Sequence, residues 1–277
     1  MAPKPTTVHD RRKRLGRALR TARERAGRDL AEAAAPLGWT AERLGALEEG
    51  LVTIRRADAK ELLTGYGAAD AATLALVEGT AGWWTPHSDL VDEPLEKLLV
   101  LEDGMARLRS HQAGLVPGLL QTPDYAWELM VTMSDQPLDR VQRLVDLRRA
   151  RARAFTREPR PQVTVVLDEG ALRRPVGGPA VMRRQYRHLI ETGRLPGADV
   201  RVRPFDAAPH HASGLTFHVF EFTGDGPVVQ LELLDREELI RSEREVALYR
   251  DAFDLALAGA LSREESVAFL QELERGC

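Results

Sequence analysis

Residues 30–50 read LAEAAAPLGWTAERLGALEEG, and this stretch decides the front of the chain. Two helices joined by a tight turn need a small residue where they nearly touch, then a turn-former, then large apolar residues that lock the second helix on the first. Ala34 fits the small position, Gly38 the turn, and Leu37, Leu44 and Leu47 the lock. Thr40 is placed to cap the second helix, because its hydroxyl accepts an amide proton that the first helical turn leaves unbonded, and Gly50 ends that helix. Upstream, Leu15, Ala18, Leu19, Ala22 and Ala26 recur every three or four residues as one helical stripe, which Gly27 stops. Downstream, helices at about 57–63 and 69–81 complete an all-α bundle of five helices.

The full chain has 277 residues, 43% hydrophobic and 29% charged, a globular composition long enough for two domains at ~100–200 residues each. No apolar run approaches the ~18–20 residues that cross a bilayer. The start MAPKPTTVHDRRKRLG lacks the apolar core of a secretory signal, so a cytoplasmic protein with no membrane partner is expected. The single cysteine, Cys277, excludes an internal disulfide or a multi-cysteine zinc site. The net charge of −3 conceals a division: residues 1–28 hold ten bases and two acids, residues 221–277 fourteen acids and six bases. The basic start suits a polyanion. The acidic end either faces away from it or receives a basic partner.

The front segment, down to its closing Leu-Glu-Glu-Gly, resembles the helix-turn-helix domain of the Xre/lambda-repressor class. That resemblance implies a DNA-binding domain over 11–82 on double-stranded DNA. The groove-facing positions of its third helix are then Thr40, Ala41, Glu42 and Gly45, which offer little to base edges beyond a hydroxyl and a carboxylate able to accept from cytosine. Phosphate contacts fall to Arg43, Arg55 and Arg56, joined by Arg17 of the first helix. They position a protein without identifying a sequence, so sparse base reading and a homodimer on two half-sites are expected.

A linker over 83–92 holds Trp83 and Trp84 side by side. Their side chains point about a hundred degrees apart on a helix end, so the pair reads as a docking joint, one ring in the bundle and one offered to the following domain. The second domain, 93–275, opens with EPLEKLLVLEDGMARLRSHQ, read as one helix over 93–112. Then comes GLVPGLLQTPDYA, where Thr122 caps a new helix with Pro123 in its first turn. An arginine-rich helix is read at 137–157, strands at 162–167, 200–204, 216–222 and 228–233, and helices at about 179–192, 242–257 and 263–274. The fold class is therefore α+β, a helical bundle followed by a mixed domain whose small, mainly antiparallel sheet is flanked by helices.

The segment LVPGLLQTPDYA, with VRPFDAAPHHASGLTF at 202–217 and ALSREESVAFLQEL near the end, resembles the antitoxin-like domain that follows an Xre-type helix-turn-helix in actinobacterial regulators of the WhiJ kind. The use of 35 arginines against four lysines fits such a genome. The resemblance implies a transcriptional regulator whose second domain binds a small protein encoded beside it. Two other readings remain: a protein-interaction module with a degenerate helix-turn-helix, and a ligand-binding or enzymatic second domain.

For the last reading the candidate residues are Asp168 and Glu169 at a strand end and Arg173 beyond them, with Trp84 at the linker. That group suits an anion or a sugar-like ligand. The favoured reading is that Asp168 caps the next helix and pairs with an arginine. His210, His211 and His218 lack an acidic companion at ligand spacing, so no metal is expected. No nucleophile elbow, phosphate loop, dinucleotide fingerprint or zinc-protease motif occurs, and neither a catalytic residue nor a cofactor is expected.

Overall fold

The computed structural model describes residues 7–68, 71–155, 157–233 and 237–277. The chain forms two compact units, 1–104 and 105–277.

In the first unit α1 (Val8–Arg25) begins at a reciprocal cap, in which Thr7 accepts from the Asp10 amide and the Asp10 carboxylate accepts from the Thr7 amide, each at 3.0 Å. Next come α2 (Leu30–Ala34), a 3₁₀ turn at Ala35–Leu37, α3 (Ala41–Glu48), α4 (Arg56–Gly65), α5 (Ala71–Glu78) and α6 (Glu93–Gly104). The turn between α2 and α3 passes through Gly38 at φ +65°, a left-handed conformation that glycine adopts without strain. Thr40 caps α3 by accepting from the Arg43 amide at 3.2 Å. The expected helix 69–81 is α5, with residues 69–70 outside the described ones.

The helix α1 packs on α3, α5 and α6. At its contact with α3 the backbones nearly touch: a Cβ on Gly16 would lie 2.3 Å from the Glu48 carbonyl oxygen, and one on Gly50 would lie 2.6 Å from the Lys13 nitrogen. Leu15, Leu19, Leu44 and Leu47 fill the space around this contact. The helix α6, read in sequence as the head of the second domain, instead packs on α1, where the Asp103 carboxylate accepts from the Val8 amide at 3.0 Å.

The second unit contains β1 (Arg107–Gln112), α7 (Pro123–Met133), α8 (Leu138–Arg151), β2 (Gln162–Asp168), α9 (Glu169–Arg173), α10 (Pro179–Gly193), β3 (Ala198–Arg203), β4 (Phe217–Glu221), β5 (Val228–Glu232), β6 (Glu237–Ile240), α11 (Glu243–Ala258) and α12 (Arg263–Gly276). Its six strands form one mixed sheet in the order β3-β2-β1-β4-β5-β6. The strands β1, β2 and β3 run parallel, while β4, β5 and β6 alternate antiparallel from β1 outward. Parallel neighbours require long crossovers, which α7 with α8 and α9 with α10 supply. One face of the sheet packs Val166, Phe217, Val219 and Val229 against Val246, Phe253 and Ala256 of the α11 region. The free edge of β3 is closed by the start of α12, whose Ser266 hydroxyl accepts from the Val202 amide at 3.0 Å.

Three sequence expectations need correction. The helix expected over 93–112 stops at Gly104, where a Cβ would strike the His9 side chain at 2.5 Å. The remainder is β1, the strand at the middle of the sheet. The sheet is larger than expected and half of it is parallel, because β1 was unread and the crossovers around it therefore had no partner strand. The helix expected over 137–157 is α-helical only to Arg151 and continues as a 3₁₀ turn at Ala152–Phe155, with residue 156 outside the described ones.

The Gly16 contact makes a direct test. Replacing Gly16 with Ala forces α1 and α3 apart, and overpacking of this kind costs ~1–3 kcal/mol. Urea unfolding of Gly16→Ala should show a loss of at least that size, whereas Gly114→Ala, where an added Cβ meets nothing, should stay near wild type.

Candidate nucleic-acid interface and candidate ligand site

The sequence of α3 divides cleanly between core and solvent. Leu44, Ala46, Leu47 and Glu48 are buried, while Thr40 and Glu42 are exposed and Ala41, Arg43 and Gly45 are half-buried. Of the four positions read as groove-facing, Thr40 and Glu42 are thus exposed, while Ala41 and Gly45 are half-buried. Hydrogen bonds from its own backbone amide and from the Thr40 hydroxyl hold the Glu42 carboxyl below its usual range, so Glu42 presents a fixed negative charge there.

The cations expected to meet phosphate already have partners within the unit. Arg43 reaches the Glu93 carboxylate at 3.1 Å and lies over the Trp39 ring, 4.7 Å from its centre. Arg55 makes a two-pronged bond to Asp58 at 2.9 and 3.0 Å, yet its side chain is 83% exposed. Arg56 reaches Glu78 at 2.7 Å. Arg17 is exposed on α1. Exposed ion pairs exchange readily, being worth only ~0–1 kcal/mol, so Arg55 and Arg56 can pass from carboxylate to phosphate.

Other arginines of the basic start are structural. Arg23 donates to the Glu48 carboxylate at 2.6 and 2.8 Å, and Arg20 donates to it at 3.3 Å. Glu48 is 3% exposed, and a buried carboxylate is tolerated only when paired and hydrogen-bonded. Arg12 is buried, donates to the Thr80 carbonyl at 2.8 Å and to Glu96 at 2.9 Å, and stands over the Trp84 ring. Burial lowers its pKa, and Glu96 and Asp103 counter that shift. Trp84, expected to face a partner or ligand, is 2% exposed. Its ring meets Trp83 edge-on at 5.6 Å and is a core element of the first unit.

In the second unit, of the three residues expected to form a ligand site, Glu169 and Arg173 pair with each other while Asp168 turns to other partners. Glu169 is buried and accepts from the Phe205 amide at 2.9 Å and from Arg173 Nε at 2.5 Å. It anchors the segment that follows β3. Arg173 is bound to that carboxylate and extends over the Phe269 ring. Asp168 occupies the cap position of α9 without a side-chain cap bond. Its Oδ1 instead stands 3.4 Å from His111 Nε2 and 3.8 Å from Arg203 Nη1.

Strand register explains that convergence. His111 is opposite Val166, and Asp168 opposite Arg203. Side chains two residues apart share a face, so His111, Asp168 and Arg203 meet at the carboxyl ends of β1, β2 and β3. His210, from the segment after β3, brings its ring to 5.1 Å from that of His111. Neither His111 nor Arg203 was singled out in the sequence. The available signal was the run Ser110-His111-Gln112, polar residues in what proves to be a central strand. Among the described residues, no group of His, Cys, Asp or Glu is arranged to hold a metal ion.

The opposite face carries a second polar group: the Gln112 amide donates to Ser110 Oγ at 2.8 Å and lies 3.5 Å from His218 Nε2. Burial pushes the His218 imidazole down to about 4, and the positive charge of Arg151 adds to this. The unfolded chain therefore takes up a proton near pH 6.5 that the folded chain refuses until about 4, so this contribution is complete above that window and stability falls as pH drops through it. His188, lowered by burial, acts in the same direction. In urea unfolding at about pH 7 and about pH 5, His218→Gln should lose less stability on acidification than wild type. An equal loss would show that His218 is not the titrating group.

Two domain matches cover most of the chain: a helix-turn-helix domain at residues 14–76 and a domain of unknown function (DUF5753) at residues 95–272. No curated protein and no solved structure matches it. Among the described residues, no helix is long and apolar enough to cross a membrane. The helix-turn-helix match supports DNA binding and a role in transcription regulation, in keeping with the capped, outward start of α3. Since the second match spans more than half of the sequence, the chain belongs to the family defined by the DUF5753 domain, with a helix-turn-helix domain at its head.

Proposed function

We propose that this chain is a cytoplasmic, dimeric transcriptional regulator of the Xre kind, whose first unit sets α3 against duplex DNA. Its second unit responds to a small ligand or to a small protein encoded nearby, as in the WhiJ-like, antitoxin-like regulators it resembles. The observation that carries the reading is the exposed start of α3, with Thr40 and Glu42 outward and the Thr40 cap leaving the helix N-terminus well formed. A helix N-terminus favours phosphate, and Arg55 and Arg56 supply exchangeable charge next along the chain. The fixed Glu42 carboxylate opposes phosphate and limits base reading to an acceptor role, so affinity rests on backbone contacts and on the pairing of two copies.

A second reading, a protein-interaction module with a helix-turn-helix that no longer reads sequence, is favoured by Glu42 and by the bond of Arg43 to Glu93. Fluorescence anisotropy with duplexes from the DNA upstream of the coding sequence separates the two. The regulator binds at low salt, prefers some duplexes, and loses affinity steeply as salt rises. Replacing Arg55 with Ala should weaken binding to every duplex and reduce the salt slope by about one unit. Failure to bind any duplex at low salt would remove the regulator reading, and binding indifferent to sequence would favour the second.

A further inference from the structure

The helix-turn-helix unit leaves a space open in its own packing. The helix α2 packs on α3, while α4 packs on α5 and α1. Between α2 with its 3₁₀ turn on one side and α4 on the other lies a cavity of about 430 Å³. Sites that take small molecules commonly run ~300–1,000 Å³. Buried Ala33, Leu62 and Tyr66 form its floor, and half-buried Leu37 continues the apolar surface. Pro36, Ala57 and Lys60 also line it and are exposed, so the cavity opens to solvent along that rim.

The charges around it are unevenly matched. Arg28 and Lys60 bring two cations to the lining, and Glu61, exposed on α4, brings one acid. Among the described residues, no carboxylate pairs with Arg28 or Lys60, whereas Arg43, Arg55 and Arg56 each have one. Arg28 is nonetheless held in place. Its backbone amide and carbonyl both bond to Arg23, and its Nη1 lies 3.9 Å from where a Cβ on Gly65 would stand. The guanidinium thus rests at the carboxyl end of α4, whose partial negative charge steadies a cation there.

Tyr66 adds a polar group to the floor. It is 8% exposed, and its hydroxyl has no hydrogen-bond partner, an uncommon state for a buried group and one that calls for an explanation. Burial, with the negative charge of Glu48 adding and those of Arg23 and Arg28 opposing, pushes the phenol up to about 12, so it keeps its proton.

An occupant has to match an apolar floor and a cationic edge together. A bare anion leaves the floor uncovered, an uncharged hydrocarbon leaves Arg28 and Lys60 unmatched, and an organic cation meets both of them. We propose that this cavity binds a small apolar carboxylate, an aryl or medium-chain acid, with its hydrocarbon body against Ala33, Leu37 and Leu62 and its carboxylate on Arg28 and Lys60. The inference goes beyond the function proposed above, which places the ligand response in the second unit. Pro36 and Leu37 belong to the turn that runs through Gly38 to the Thr40 cap of α3, so an occupant braces the segment that sets the start of that helix.

The test is isothermal titration calorimetry of the full chain, without DNA, against benzoate, phenylacetate, hexanoate and octanoate, each beside its primary amide, with acetate as the bare anion. At least one of these acids should bind about tenfold more tightly than its amide and than acetate, the order of one charge-assisted hydrogen bond. Ala57→Phe, which fills the rim, should weaken that acid and its amide alike. Lys60→Gln, Arg28→Gln or both should weaken the acid and leave the amide unchanged. Ala57 and Lys60 are exposed on α4, so their variants keep the fold, which an unchanged urea midpoint verifies. Absence of binding by every acid, an amide that binds as tightly as its acid, or binding unaltered by Ala57→Phe or by both charge variants would overturn the site. Because no DNA is present, this outcome and that of the DNA-binding reading stay separate.

Discussion

The closeness of α1 to α3 is the constraint on which the first unit depends. Gly16 and Gly50 let the two backbones meet, and Glu48 enters the interior only because Arg20 and Arg23 come with it. An unpaired carboxylate there would be among the most costly defects a core can hold. The same contact decides which side of α3 faces solvent: with Leu44, Leu47 and Glu48 turned inward, Thr40 and Glu42 remain outward. Packing thus selects the outward face, and Arg12, Arg20 and Arg23 of α1 serve that packing.

The second unit poses the opposite problem, since its central strand is polar. Ser110, His111 and Gln112 of β1 are nearly inaccessible to solvent, in a position where β-branched apolar residues are the ordinary choice. Gln112 donates to Ser110 on one face, whereas on the other face His111 Nε2 stands 3.4 Å from Asp168 Oδ1. A local sequence at odds with its place in the fold marks sites retained for function.

Much of this architecture was legible because local chemistry and tertiary structure agree. Gly27 and Gly38 take the left-handed conformations their positions suggest, Thr40 and Thr122 cap α3 and α7, and the valine-rich run at 162–167 is β2. The strand β1 was not legible: Leu95, Leu98, Leu99, Leu101, Met105 and Leu108 keep a helical period through the point where the chain turns, and only pairing with β2 and β4 makes Arg107–Gln112 extended. The strand β6, Glu237–Ile240, is too short and acidic to be read. Asp168 was visible as an acid at a strand end, but its partners depend on register between strands far apart in sequence. Charge counting also misled at Arg12 and Arg23, because composition does not tell a solvated cation from one paired indoors.

The regulator proposed above requires that the outward start of α3 be the surface that meets DNA. The most direct measurement is a titration of the isotopically labelled full chain with duplex DNA, followed by amide resonances. The account predicts that the amides of Thr40, Ala41, Glu42 and Arg43, with those of Arg55 and Arg56, shift first and furthest, while Leu44, Leu47 and Glu48 on the inward side change little. Shifts confined to other helices, with the start of α3 unmoved at saturating DNA, would contradict it.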